Sequence, residues 1–128
     1  MYPVKIQIIT LHLITSLSLF GCIAHQRISY QKDVVPIIDA NCIKCHNPVN
    51  GTGYQKTGLD LTSYASLMKG SVYGQVIRPG NSRNSILNIL VEGRADKTLR
   101  MPHDTDQSLQ QGDIETLRLW VDQGAKNN

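Results

Sequence analysis

Aromatic side chains and methionine are scarce in this chain of 128 residues, which has one tryptophan, one phenylalanine, five tyrosines and three methionines. A domain of about 100 residues buries only a small core, so we expect something other than side chains to fill part of its interior. Clusters of lysine and arginine are also missing, and 13 basic against 10 acidic residues give a net charge of only +3. This balance does not favour nucleic acid as a partner. Internal repeats and strand-type alternation are absent as well, which indicates one helical domain.

Cysteine is scarce too, and the first of the three, Cys22, ends a segment that is typical of an export signal. Residues 1–21 place Lys5 before a run dominated by Ile, Leu, Thr and Ser. Polar residues inside the run disfavour a permanent membrane span of about 20 residues. Its end, Leu19-Phe20-Gly21-Cys22, resembles the bacterial lipobox, in which cleavage leaves the cysteine first with a diacylglyceryl group on its sulfur. We therefore expect a lipoprotein signal peptide at residues 1–21 and lipidation of Cys22. The alternative is an ordinary signal peptide with an incidental cysteine.

The other two cysteines, Cys42 and Cys45, lie in "NCIKCHNP", where His46 directly follows the second. C-x-x-C-H is the attachment signal for c-type haem. Residues i and i+3 are neighbours on one face of a helical turn, so both sulfurs can add to the two vinyl groups on one edge of the porphyrin. The adjoining imidazole can then bind the iron from one side. The motif predicts one covalent haem c, with thioether links at Cys42 and Cys45 and His46 as the proximal iron ligand.

Three other uses of this cysteine pair are weaker. A zinc site needs about four ligands, and beyond the pair the mature chain offers only His25, His46 and His103. A thioredoxin-like pair expects a βαβ setting, and no strand pattern is visible. A plain disulfide would form readily in an oxidising compartment, but so short a loop constrains the unfolded chain very little and leaves His46 unexplained.

A haem protein must also have a sixth iron ligand or an open position. A thioether opposite histidine favours the ferrous state and electron transfer, whereas an open site suits ligand binding or peroxide chemistry. Met101 lies in "TLRMPHD", among charged and polar neighbours that a core methionine rarely has, and Pro102 would stiffen its loop. His103 is the main competitor, because neutral imidazole also binds haem iron. Met68 lies in an amphipathic segment, where packing in the core is the simpler interpretation. We predict Met101 as the distal ligand.

Four segments have the apolar periodicity of helices: residues 31–45, 63–69, 82–92 and 111–123. For the second we expect Thr62 as the N-cap and Gly70 as the stop signal. The apolar face expected for the third consists of Ile86, Leu87, Ile89 and Leu90. Long loops of the kind that often carries function are expected at 46–61 and 93–110.

Five stretches, in order, resemble the planctomycete-like cytochrome c domains, a family of small bacterial cytochromes. The stretches cover a haem-motif helix, a short second helix, a proline-glycine turn, a methionine-proline loop and a closing helix: "DVVPIIDANCIKCH", "GLDLTSYASLMKG", "VIRPGNSRNSIL", "RMPHD" and "DIETLRLWVDQGA". The resemblance covers residues 30–125. The chain departs from the family pattern at Val121, where isoleucine is commoner, and in the long loop after His46.

The resemblance implies an all-α cytochrome c fold of about four helices and long loops around one haem c. It gives Cys42 and Cys45 the thioether positions, His46 the proximal position and Met101 the distal position. Because no residues remain for a second domain, a stand-alone carrier is implied. Together with the expected lipidation of Cys22, we expect residues 22–29 to form a lipid-anchored tether and residues 30–128 the cytochrome domain.

These observations predict a lipid-tethered electron-transfer protein of the bacterial cell envelope, not an enzyme. Its partners would be redox proteins of the envelope and, through the lipid, the membrane. We expect the periplasmic side, and the outer membrane in particular, because Ile23 after Cys22 offers no obvious retention signal. A haem-based sensor or weak peroxidase with a labile sixth ligand is the alternative. A lipoprotein binding module with a Cys42–Cys45 disulfide is a third, haem-free possibility.

Overall fold

The fold is all-α, as predicted. The computed structural model describes residues 26–103 and 108–128, and these contain no strand. Five α-helices follow one another: α1 (Val35–Asn41), α2 (Thr52–Thr57), α3 (Tyr64–Lys69), α4 (Ile86–Val91) and α5 (Gln111–Asp122). A π-helical turn, Tyr30–Val34, precedes α1, and 3-10 turns occupy Ser82–Asn84 and Lys97–Leu99. In the part of the chain that is described, no helix has both the length and the apolar character needed to cross a membrane.

The first expected helix, 31–45, is divided into a π-helical turn and a short α-helix. The side chain of Ser29 caps the turn by accepting from the amide of Lys32. Pro36 occupies the first turn of α1, where its missing N–H costs nothing. The α-helix ends at Asn41, earlier than expected, and the chain continues through the haem motif as a series of turns.

The loop expected at 46–61 contains a helix that the sequence pattern did not indicate. This is α2, which ends at Gly58 in the left-handed conformation, with φ of 65°. Glycine is a poor helix former, so the glycines at 51, 53 and 58 favoured the prediction of a loop over that of a helix. A tertiary contact supports it, because the amide of Tyr54 donates to the carbonyl oxygen of Cys45 at 2.9 Å.

The second expected helix is present as α3, and Gly70 follows it as expected, with φ of 87°. Its N-cap is Ser63, however, one residue after the expected Thr62. Ser63 and Ser66 form a reciprocal capping box. The hydroxyl of Thr62 instead donates to the carboxylate of Asp60 at 2.7 Å.

The third expected helix, 82–92, is interrupted, and its buried face differs from the expected one. The 3-10 turn Ser82–Asn84 is followed by Ser85 in an extended conformation. The Ser85 hydroxyl accepts from the amide of Arg78 at 2.8 Å and donates to the carbonyl of Asn81 at 2.9 Å. This break resets the helical phase, so α4 buries Asn88 and Val91 while Ile86 is 45% exposed.

The core lies where α5 packs against the π-helical turn. Trp120 is 1% exposed and its indole N–H donates to the carbonyl of Lys126 at 2.9 Å. The Tyr30 ring is 5.5 Å from the Trp120 ring, centroid to centroid. The side chain of Asn128 accepts from the amide of Tyr30, and the side chain of Gln123 accepts from the amide of Ile28. Ile28 is itself buried, so packed structure begins within the segment expected to be tether.

Candidate haem attachment site

The C-x-x-C-H motif forms a compact turn that is continuous with α1. The amide of Cys42 donates to the carbonyl of Ile38 at 2.8 Å, as in a further helical turn. The amides of Cys45 and His46 both donate to the carbonyl oxygen of Cys42, at 3.1 and 3.0 Å. Both cysteines are partly exposed and neither is joined in a disulfide. The turn therefore carries two partly exposed, unpaired cysteines together with the histidine.

His46 is held in an enclosed position and is 8% exposed. Its Nδ1 atom is buried and has no hydrogen-bond partner of good geometry. Burial lowers the pKa of His46, and a backbone contact with Leu59 opposes that shift. A depressed pKa favours neutral imidazole, which is the form that binds metals. The state of this side chain fits an iron ligand.

The main chain of the motif is fixed from the side of the long loop. The amide of Tyr54, in α2, donates to Cys45, and the amide of Leu61, after α2, donates to the carbonyl oxygen of His46 at 3.0 Å. Within α2, Gly53 lies against the imidazole ring of His46. The segment that departs from the usual loop length thus packs directly on His46, the expected proximal ligand.

The Cys42 thiol does not have the lowered pKa of a redox-active cysteine. Burial, followed by the charge of neighbouring Cys45, raises the pKa of Cys42 from 9.0 to about 11. Catalytic C-x-x-C pairs have a lowered thiol pKa, because the thiolate is the nucleophile. A zinc site is not supported either. In residues 26–103 and 108–128, no three His, Cys, Asp or Glu side chains form a group able to hold a metal ion.

Met101 lies on the same core as the cysteine motif. It is partly buried and packs, as Cys42 does, against the cluster of buried apolar side chains. Its amide donates to the carbonyl oxygen of Leu90, near the end of α4, at 3.2 Å. His103, the competing ligand, is exposed. Met68 is partly buried in α3 and packs against the core.

An open cleft of about 490 Å³ between the 3-10 turn Ser82–Asn84, α4 and α5 is separate from these residues. Three arginines and two carboxylates are among the side chains that line it: Arg83, Arg94, Arg118, Glu92 and Asp122. Arg94 pairs with Glu92, and Arg118 with Glu115 and Asp122. These charges largely balance, so the cleft has little attraction for an anion.

Cys22, the expected lipidation site, and His25 lie outside the described residues, as does the expected signal peptide. Among the residues that are described, Cys42, Cys45 and His46 share one turn, and Met101 shares their core. These residues fit a covalently bound haem, because both cysteines are partly exposed and free of a disulfide, and the imidazole is enclosed with its Nδ1 atom buried.

The comparisons with known proteins agree with this chemistry. The model of the planctomycete cytochrome c family matches residues 42–105, which is half of the chain. The match begins at the first cysteine of the motif and includes Met101. No curated protein and no solved structure matches the chain. Family membership implies a covalent haem c. The chain belongs to the planctomycete cytochrome c family.

Proposed function

We propose that this protein is a monohaem c-type cytochrome that carries single electrons in the bacterial cell envelope and is tethered to a membrane through lipid on Cys22. One observation carries the proposal: two partly exposed cysteines, not joined in a disulfide, lie in one turn with an enclosed histidine whose pKa is lowered by burial. The family match supports a c-type cytochrome. The lipid tether is supported only by the sequence, through the lipobox-like residues 19–22.

We assign the thioether links to Cys42 and Cys45, the proximal position to His46 and the distal position to Met101. A bound haem supplies a one-electron iron couple, whose potential depends on the axial ligands and on burial. The neutral imidazole of His46 is ready to bind without losing a proton. The soft, uncharged sulfur of Met101 favours the ferrous state.

An electron carrier works best when its ligands move little between oxidation states. The backbone of His46 is hydrogen-bonded on both sides, by its own amide to Cys42 and by its carbonyl to Leu61. Met101 is held by its amide at the carbonyl of Leu90 and by its packing on the core. These contacts limit rearrangement of both ligand-bearing segments, and this supports electron transfer over substrate chemistry.

The lipid would hold the domain close to the membrane. The carbonyl of Gln26 accepts from the side chain of Gln123 at 2.8 Å, so the chain is tied to the domain from this residue onward. Three residues separate Cys22 from Gln26, and the four residue-to-residue steps of a fully extended chain span at most about 14 Å. Redox partners within reach would be membrane proteins or proteins at the membrane surface.

The test is expression in a host that matures c-type cytochromes, followed by a pyridine haemochrome spectrum of the denatured polypeptide. A c-type spectrum with one haem per chain is expected. Haem that separates from the denatured chain, or a protein without haem, would contradict the proposal. Mass spectrometry of the same sample decides whether Cys22 carries lipid.

A sensor or weak peroxidase is the second candidate, and one observation favours it. Met101 is only partly buried, so solvent and small ligands have some access to its side chain. A labile methionine would leave an open iron position for small ligands. A high-spin spectrum of the purified protein would favour this function, whereas a low-spin spectrum favours the carrier.

A further inference from the structure

We propose that Gly53 is a positioning residue, whose lack of a side chain lets the backbone of α2 set the orientation of the His46 imidazole. This inference rests on the proposed function, because it concerns how the proximal ligand is presented to iron. It assigns a role to α2, the helix that departs most from the expected loop.

The contact between Gly53 and the histidine ring leaves no room for another carbon atom. A Cβ at Gly53 would lie 2.8 Å from Cε1 and 3.0 Å from Nε2 of His46, and 2.9 Å from the carbonyl oxygen of Cys45. Carbon atoms essentially never approach as closely as the shortest of these distances. Because Nδ1 is enclosed, Nε2 is the nitrogen that we assign to the iron. Gly53 therefore packs beside the ligating edge of the ring.

The backbone around the histidine gives the ring little other freedom. The His46 amide is bonded to Cys42 and its carbonyl to Leu61, both at 3.0 Å. The Cys45 carbonyl, the other atom that a side chain at Gly53 would strike, is bonded to the amide of Tyr54 at 2.9 Å. A methyl group at this position would therefore displace the imidazole, which is the movable partner, or push α2 off the motif.

Gly51 provides a contrast, because its close neighbours are all backbone atoms. A Cβ there would lie 2.4 Å from the carbonyl oxygen of Cys45 and 2.6 Å from that of Asn47. Gly51 is thus required for the turn that leads into α2, and it touches no atom of the imidazole among its nearest neighbours. Gly112, in α5, would have no neighbour within 4 Å of an added methyl group and serves as a neutral control.

Ring orientation matters because groups around a metal ligand orient it and tune the metal. An imidazole pushed off its position forms a weaker bond to iron and changes the electronic symmetry of the oxidised haem. The thioether links do not depend on the ring. The effect of a side chain at Gly53 is therefore expected on the iron and not on haem attachment.

The experiment compares G53A, G51A and G112A with the unmodified protein, each produced in a host that matures c-type cytochromes. For G53A we expect wild-type covalent haem content, shifted g-values in the electron paramagnetic resonance spectrum of the oxidised protein, and a high-spin fraction. G51A should lower the denaturation midpoint while its folded fraction keeps the wild-type g-values. G112A should keep the wild-type haem content and g-values, with a denaturation midpoint equal to or above that of the unmodified protein, because alanine favours a helix more than glycine does.

Wild-type g-values in G53A would overturn the proposal, and so would the same g-shift in G51A, which would assign the effect to the turn. A nuclear Overhauser effect between the Gly53 α-protons and the Cε1 proton of His46 is also expected in the purified protein. Its absence overturns the proposal even where c-type haem is present. Its presence in a protein that fails to attach haem would leave the packing established and contradict the proposed function alone.

Discussion

The amide of Leu61 donates a hydrogen bond of 3.0 Å to the carbonyl oxygen of His46. This bond closes the loop that carries α2 back onto the cysteine motif. Because the amide of His46 is also bonded, to Cys42, neither backbone group of His46 is left to water. The chain thus holds its proposed iron ligand by the main chain on both sides and by a glycine contact on the ring.

Removal of the two thiols should abolish covalent haem. In the double variant Cys42→Ala/Cys45→Ala no thioether can form, so denaturation should release all haem, and the polypeptide should give no haem stain after denaturing electrophoresis. His46→Ala keeps both sulfurs, and it should retain covalent haem with an altered, high-spin spectrum. Covalent haem in the double variant would place the attachment elsewhere.

Lipidation should depend on Cys22 alone. Mass spectrometry of the mature protein should find an acylated cysteine at the N-terminus and no residues 1–21. Cys22→Ser should appear in the soluble exported fraction with the same haem content, since each buried methylene of a lipid contributes about 0.8 kcal/mol to membrane binding. A mature protein that starts elsewhere and carries no lipid would make Cys22 incidental.

The raised pKa of Cys42 predicts a pH dependence in polypeptide that has not received haem. Its folded pKa of about 11 exceeds the ordinary value of 9.0, so the folded state binds the proton more tightly than the unfolded state. The contribution of this group to stability is present below pH 9 and is lost as the pH rises through about 11. Alkylation of Cys42 by iodoacetamide between pH 7 and 11 should therefore be slower in folded than in urea-denatured polypeptide. Equal rates in the two states would contradict this account of the thiol.

Truncation of Trp120 should strongly lower the stability of the fold. The ring is 1% exposed, contacts Tyr30 and donates to the carbonyl of Lys126. Trp120→Ala should lower the free energy of unfolding by about 3–5 kcal/mol, as measured by urea denaturation. Val72, which is 73% exposed, offers a control, because Val72→Ser should stay within about 0.5 kcal/mol of the unmodified protein. Similar losses of unfolding free energy in the two variants would contradict the placement of Trp120 in the core.

The turn that carries the candidate haem site was predictable from the sequence because its signal is local. The spacing of Cys42, Cys45 and His46 fits one turn, and the structure has that turn. The periodicity of residues 111–123 likewise predicted α5, which ends one residue earlier. Helices whose character depends on neighbours in space were harder to predict.

Three structural features could not be predicted from the sequence, each for a physical reason. Glycines at 51 and 53 suggested a loop, yet each makes a close approach that permits α2 to pack on the motif. The hydroxyl of Ser85 binds backbone on both sides of a turn and shifts the phase of α4, which helical periodicity cannot register. Asn128 binds residues far away in the chain, including Tyr30, and no pattern in the sequence marks such a contact.

The sixth ligand decides between a carrier and a ligand-binding protein, and the near-infrared spectrum of the oxidised protein tests it most directly. We predict the weak charge-transfer band of a sulfur–iron bond. This band should be absent in Met101→Ala and retained in Met68→Ala, the control on a methionine that packs in α3. Met101→Ala should also lower the reduction potential by on the order of 0.1 V, within the range of about 0.8 V over which axial ligands set haem potentials. An unmodified protein without the band, or a Met101→Ala protein that keeps it, would contradict the assignment of Met101 as the sixth ligand.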